Sequence, residues 1–179
     1  QGQFSLAQKT IKKAGNTINK WLTKDLENKI IDISKTLVDQ SDIYLIGKHL
    51  QFPAAYEFSL KLKETAYIHS EAFAAGELKH GVISLIQTGT PCIAIVDSSH
   101  TRADILSSAT ELKARGARII GVGPENALEF NQYIPTPDLG DLTILANVIV
   151  GQLMGYYVGI GRGTDPDKPR NLAKSVTVK

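Results

Sequence analysis

Glu57, Lys61 and Glu64 follow one another at i, i+4 and i+7 within a helical pattern. At about 100° per residue they fall within one narrow arc of a helix. Two carboxylates and an ammonium on one face can serve as a base, an acid and a charge stabiliser. The same spacing also suits a plain surface ion pair, because Glu57 four residues before Lys61 is the favoured orientation, contributing about 0.2–0.5 kcal/mol. His80 stands in Gly76-Glu77-Leu78-Lys79-His80-Gly81, where glycines on both sides predict a turn that exposes its side chains. Histidine titrates near neutrality and so suits proton transfer, although a lone histidine in a loop is commonly just a surface residue. Glu77-x-x-His80 is half of a carboxylate metal motif, but the partners such a site needs are missing, so no metal is expected. The loop Asp97-Ser98-Ser99-His100-Thr101 precedes a helix, where hydroxyls and amides can hold an anion or simply cap the helix. Composition makes the tail 165–174, with Ala173 and Lys174 at its end, a frayed terminus.

The elements that would position these residues follow from periodicity. Residues 5–21 place Leu6, Ile11, Ile18, Trp21 and Leu22 at roughly helical spacing. Thr23 is a plausible N-cap for a second helix carrying Leu26, Ile30, Ile31, Ile33, Leu37 and Val38, with Asp25 and Glu27 in its first turn. The period then changes. Residues 42–46 (DIYLI) read as a strand ending at Gly47, and Pro53 opens a helix expected to reach about Ser70. Residues 92–96 form the next strand, followed by a helix to about Arg115 with Gly116 at its C-cap. Residues 118–122 are a third strand and 133–135 a short fourth one. Strands alternating with helices predict an α/β fold of three α-β-α layers around a parallel sheet. In such sheets ligands bind outside the carboxyl ends of the strands, here 47–52 and 97–101.

The 179 residues suit one domain of ordinary size, and the formal charge of +2 gives no ground for a nucleic-acid partner. The single cysteine, Cys92, lies in an apolar run and reads as a small buried hydrophobe, consistent with a reducing, cytoplasmic setting. Residues 142–161 carry no charge and are long enough to span a bilayer. Asn147 and Gln152 interrupt them, and Gly151, Gly155 and Gly159 equally let a core helix approach a neighbour closely. The reading is therefore a buried helix and no membrane span. The chain starts at Gln1 and reads as a fragment or a processed protein, with a helical lead-in over 1–40, a main domain over 41–161 and a tail over 162–179.

Several segments carry a resemblance. Tyr56-Glu57-Phe58-Ser59-Leu60-Lys61-Leu62-Lys63-Glu64, Tyr67-Ile68-His69-Ser70-Glu71 and Ala75-Gly76-Glu77-Leu78-Lys79-His80-Gly81 occur in that order. Gly163-Thr164-Asp165 and Pro169-Arg170-Asn171-Leu172-Ala173-Lys174-Ser175-Val176-Thr177-Val178 follow. Together they resemble the isomerase region of the glutamine:fructose-6-phosphate amidotransferase (glucosamine-6-phosphate synthase) family over about residues 42–179. That resemblance implies the second of two sugar-isomerase (SIS) subdomains of flavodoxin-like type, with the tail as part of the active site. It implies conversion of fructose 6-phosphate and ammonia to glucosamine 6-phosphate without a cofactor. Glu64 would be the base between C1 and C2, Lys61 the charge stabiliser and Glu57 the orienting carboxylate. His80 would assist ring opening from a neighbouring subunit of a homodimer with shared sites. Lys174, beside the substrate-binding Ala173, would meet the open-chain carbonyl and form an imine. A first SIS subdomain and a glutaminase domain would be the partner segments. The sequence departs from the family pattern at Lys48 and His49, at Val82, at Lys179, and at Ser98–Thr101, where the phosphate loop's glycine pattern is missing. A stand-alone sugar-phosphate-binding SIS module and an isomerase that uses no ammonia are the alternative expectations.

Overall fold

A computed structural model describes residues 2–172. Helix α1 (Gly2–Trp21) leads into α2 (Lys24–Lys35), and the two are separated by the expected cap: Thr23 accepts a hydrogen bond from the Leu26 N–H at 3.3 Å. Then come β1 (Asp42–Gly47), α3 (Gln51–Ala66), β2 (His69–Ala74), two 3₁₀ turns (Glu77–Lys79 and Val82–Leu85) and β3 (Pro91–Ile95). The chain continues through α4 (Arg102–Lys113), β4 (Arg118–Gly123), β5 (Gln132–Pro135) and α5 (Thr143–Gly161). All strand pairings are parallel, in the order β2-β1-β3-β4-β5.

Alternation along the strands sorts the core into two layers. Ile43, Leu45, Ile93, Ile95, Ile120 and Val122 face α2, α3 and α5, meeting Ile30, Phe58, Leu62, Val150 and Met154. Tyr44, Ile46, Cys92, Ala94, Val96 and Ile119 face α4 and the first 3₁₀ turn, meeting Ile105, Ala109, Leu112 and Leu78. The three-layer α/β expectation holds. Cys92 is buried, and burial pushes its thiol up to about 12, so it stays protonated as the small hydrophobe its sequence context suggests.

One expectation needs correction. Helix α3 does not run to Ser70; it stops at Ala66, and Tyr67 caps it in the left-handed region at φ 55°, ψ 34°. The segment beyond is β2, an edge strand absent from the sequence reading. The reasons are local. No glycine marks the cap, and Glu71, Ala72 and Ala74 are not strong strand formers. At the sheet's edge only one face is well buried, so apolar alternation is weak. Two buried serines fasten the result: Ser59 of α3 and Ser70 of β2 each donate to the other's backbone carbonyl at 2.8 Å.

Helix α5 is long and apolar enough to cross a membrane by length and composition. Its glycines instead form a seam against α3. A Cβ on Gly151 would lie 2.8 Å from the Phe58 ring, one on Gly155 2.9 Å from Lys61 Cβ, and one on Gly159 2.7 Å from the Thr65 carbonyl oxygen. On its other flank Tyr157 donates to Glu27 of α2. Helix α1 is less enclosed. Trp21 at its end donates to the Pro135 carbonyl at 2.9 Å, whereas Phe4, Leu6 and Ile11 are exposed.

Candidate active site

The glycine seam fixes where the α3 charges sit. With no side chain on Gly155, α5 lies directly against the backbone of Lys61, and Thr65 donates to the Gly155 carbonyl at 2.7 Å. On α3 itself Lys61 lies between two carboxylates. Its ammonium lies 2.6 Å from Glu64 Oε2 and 3.5 Å from Glu57 Oε1. All three side chains are about one-third exposed or less, at 27%, 28% and 36% for Lys61, Glu64 and Glu57. The hydrogen bond to Glu64, with the Glu57 charge in support, holds the Lys61 ammonium above the ordinary lysine range against the opposing effect of burial. The triad is thus a carboxylate–ammonium–carboxylate row with its cation firmly charged. Such a row supplies a base (a carboxylate) beside a cation that can stabilise a developing oxyanion.

Glu64 also borders a cavity of about 430 Å³ whose walls include Leu60, Tyr67, His69, Arg170 and Leu172. Residues far apart in sequence meet here because the segment after α5 turns back. Arg162 donates to the Val38 carbonyl at 2.7 Å, and Thr164 donates to the carbonyls of Thr65 and Gly159. The Arg170 N–H then donates to Tyr67 Oη at 2.9 Å. Through Leu172 the tail lines the Glu64 cavity, which corrects the frayed-terminus reading drawn from composition over residues 165–172. Proline at 166 and 169 restricts the unfolded tail and lowers the entropy lost on ordering it. Ala173 and Lys174 lie outside the described residues.

His80 is not among the residues lining this cavity. It is exposed between the two 3₁₀ turns, flanked by Gly76 at φ 103° and Gly81 at φ 124°. The first of these turns packs through Leu78 on the α4 side of the sheet, whereas α3 covers the opposite side. Within one chain Glu57, Lys61 and Glu64 come together and His80 stands apart. Among the described residues no group of histidine, cysteine and carboxylate side chains could hold a metal ion.

The carboxyl ends of the strands hold a different arrangement. Gln51 donates to Asp97 Oδ2 at 3.0 Å, and Asn147 donates to Gln51 Oε1 at 2.7 Å and to the Val96 carbonyl at 3.1 Å. Thr136 donates to Asn147 Oδ1 at 3.0 Å, and the Ser99 N–H to Asp97 Oδ1 at 3.0 Å. Gln51, Asp97, Thr136 and Asn147 are all buried. Burial pushes the Asp97 carboxyl up, but hydrogen bonds from Ser99 and Gln51 outweigh it and hold the group below its ordinary range. The protein's own polar groups thus satisfy one another in the crevice between β1 and β3, where the loop lacks the glycine pattern of a phosphate grip. Ser99 serves the start of α4 by accepting from the Thr101 N–H at 3.3 Å.

Sequence reasoning passed over Tyr67, which it treated only as part of a motif, and the dyad of His69 Nδ1 with Asp42 Oδ1 at 2.7 Å. His69 borders both the Glu64 cavity and a larger one of about 690 Å³ at the amino ends of β1 and β3. The dyad joins residues 27 positions apart, so no local pattern announces it. Asn147 did leave a signal, as a lone amide in an apolar helix.

Comparison with known proteins agrees with this fold. The family model for the SIS domain matches residues 36–128, more than half of the chain. The glutamine–fructose-6-phosphate aminotransferase [isomerizing] of Methanothermobacter thermautotrophicus is 44% identical over 159 residues, which is 86% of this chain and 27% of that protein. Its counterpart from Pyrobaculum aerophilum is 39% identical over 178 residues, 97% of this chain and 28% of that protein. The chain therefore spans about a quarter of the length of the curated relatives it matches. Among solved structures, the C-terminal domain of the Francisella tularensis glucosamine-fructose-6-phosphate aminotransferase superposes with a TM-score of 0.79 at 29% identity. The match covers 92% of this chain and 47% of that one. The family match over the sheet, the parallel strand order and the likeness to the C-terminal isomerase part of these aminotransferases give one conclusion: this chain belongs to the SIS-domain family.

Proposed function

We propose that this chain supplies the ketose–aldose isomerase part of a glutamine–fructose-6-phosphate aminotransferase, which makes glucosamine 6-phosphate from fructose 6-phosphate and ammonia released from glutamine. The observation that carries the reading is the Glu57–Lys61–Glu64 row with Glu64 on the wall of an open cavity lined in part by the returning tail. In this reading Glu64 moves the proton between C1 and C2, Lys61 balances the charge that develops on the enediol-type intermediate, and Glu57 holds Lys61. His80 of a second subunit assists opening of the sugar ring, and Lys174 beside Ala173 forms an imine with the open-chain carbonyl. The phosphate grip comes from a first SIS subdomain and the ammonia from a glutaminase domain. A cytoplasmic homodimer with shared sites completes the reading.

The test is to replace the C-terminal region of the M. thermautotrophicus aminotransferase with this chain and to assay glucosamine 6-phosphate formation. Product formation supports the reading. A folded, glutaminase-active chimera that makes none overturns it. Glucose 6-phosphate formed in the absence of ammonia, with no amination when ammonia is added, would instead favour an isomerase that uses no ammonia. Borohydride reduction in the presence of fructose 6-phosphate, followed by peptide mass mapping, should place the sugar adduct on Lys174.

A further inference from the structure

The larger open cavity, about 690 Å³ at the amino ends of β1 and β3, takes no part in the proposed isomerase chemistry. Its size lies within the range of small-molecule sites. Tyr44 of β1 lines it although that residue is only 5% exposed, and its hydroxyl has no hydrogen-bond partner among the described residues. A buried tyrosine hydroxyl ordinarily finds one. Burial pushes the Tyr44 phenol up, so the group stays a donor. Two residues earlier, on the same face of β1, Asp42 holds its partners: the Ser41 hydroxyl donates to Oδ2 at 2.6 Å, and His69 Nδ1 lies 2.7 Å from Oδ1. Asp42 stands opposite His69 in the parallel register, which puts both side chains on the Tyr44 face. The Ser41 and His69 hydrogen bonds hold the Asp42 carboxyl below its ordinary range. The charged carboxylate fixes the neutral imidazole with its proton on Nδ1 and leaves Nε2 as an acceptor. The facing wall is the loop 87–90. Its Gln87 N–H donates to Thr90 Oγ1 at 3.0 Å and its Gly89 N–H to the Gly116 carbonyl at 2.8 Å. A Cβ on Gly116 would lie 2.9 Å from Thr88 Cα, so the loop is pressed against the turn after α4 and the wall is formed in advance. The side chains of Gln40, Gln87 and Thr88 line the cavity with no hydrogen-bond partner of their own among the described residues.

None of the described residues lining the cavity is a lysine or an arginine, and Asp42 places a negative charge in its wall. A phosphate would meet repulsion there without a compensating cation. Hydroxyl groups suit the wall, because each both donates and accepts. We propose that this cavity is a second small-molecule site, for an uncharged polyhydroxylated ligand of the chemical class of a free sugar. Tyr44 Oη donates to one ligand hydroxyl and His69 Nε2 accepts from another. The carboxamides of Gln40 and Gln87 and the Thr88 hydroxyl take further hydroxyls around the ring. The site is distinct from the Glu64 cavity and stands independently of the isomerase reading.

An amide NMR titration of the 179-residue chain with glucose tests the site. A ligand of this size and polarity should bind with a Kd of roughly 1–10 mM, and the saturable shifts should centre on residues 40–44 and 87–90. Tyr44→Phe keeps the ring in the core and removes only the hydroxyl; it should weaken binding about three- to tenfold. His69→Ala alters an exposed residue, removes the imidazole acceptor and should weaken binding by a similar factor, so it decides the matter even where Tyr44→Phe disturbs the core. Saturable shifts centred instead on residues 60–68 and 170–172 would put the sugar in the Glu64 cavity and overturn the assignment. So would an affinity unchanged in both variants, or no saturable shift at glucose concentrations about ten times that Kd range. Inorganic phosphate is the charged contrast: tighter binding of phosphate than of glucose at residues 40–44 and 87–90 would overturn the ligand class.

Discussion

Lys61 stands 2.6 Å from one carboxylate and 3.5 Å from another, a geometry open to two descriptions. As a surface ion pair it contributes a few tenths of a kcal/mol to the helix and nothing else. As a catalytic row it keeps a cation beside a carboxylate base. The cavity is the reason for proposing the second, because a surface pair needs none and Glu64 borders one built partly from the tail. Glu64→Gln distinguishes the two by experiment. The substitution is nearly isosteric and removes only the charge and basicity. In the aminotransferase chimera it should reduce glucosamine 6-phosphate formation by at least about 10²-fold, the lower range for a positioned base, while the melting temperature stays within about 2 °C. Near-normal turnover would remove Glu64 from the chemistry. The spacing of these three residues was visible in the sequence, and the resemblance singled them out. The roles of Tyr67 and His69 were hidden, because each depends on a partner far away in the chain.

At the scale of elements, the helices were legible and the edge strand was not. Helix α5 announced itself by an uncharged run whose meaning was ambiguous between membrane and core. The seam settles its place in the fold: Gly151, Gly155 and Gly159 lie on the face toward α3, each against a particular residue. Strand β2 was lost because a tyrosine does the work a glycine usually does at a helix end, so the sequence lacks the usual stop signal. The seam also ties packing to chemistry, since the residue opposite Gly155 is Lys61. Gly155→Ala would bring a methyl 2.9 Å from Lys61 Cβ and 3.3 Å from its carbonyl carbon, forcing α5 and α3 apart. We expect a loss of about 1–3 kcal/mol and, by calorimetry, a drop of roughly 2–12 °C in Tm. Gly15→Ala is the contrast: in α1 an added methyl meets nothing within 4 Å, and helix propensity favours alanine by up to about 1 kcal/mol. A Gly155→Ala protein as stable as wild type would show that the two helices adjust freely and that the seam does not fix Lys61.

Over the whole molecule, the parallel sheet was legible from the alternation of strands and helices, and the proposed Glu64 site lies away from the carboxyl ends where such sheets usually bind ligands. The carboxyl ends of β1 and β3 hold the Gln51–Asp97–Asn147 network, which ties the loops after both strands to α5. Because the Asp97 carboxyl is held below its ordinary value of 3.8, its contribution to stability is present above that value and is lost as pH falls through the lowered one. Urea denaturation between pH 5 and 2 should show this as a fall in stability that Asp97→Asn makes shallower; an equal slope in both proteins would mean the network carries no proton linkage. The charged row instead lies near the end of α3 that leads into the amino end of β2, while His80 follows its carboxyl end. Six strand residues at about 3.3 Å each separate those ends by roughly 15–20 Å, and the turn before His80 packs on the opposite face of the sheet from α3. The proposed site, which uses both Glu64 and His80, is therefore drawn from two chains in this reading. Mixing tests this in the chimeric enzyme. A Glu64→Gln subunit paired with a His80→Ala subunit would form one intact site, from the second subunit's Glu64 and the first subunit's His80, and one doubly defective site. Random exchange between two such inactive homodimers makes half of the dimers mixed, so about a quarter of wild-type activity should return. Labelled subunits must show that exchange has taken place. Exchange without recovered activity would place the ring-opening residue elsewhere, and the His69–Asp42 pair beside the Glu64 cavity would be the next group to vary.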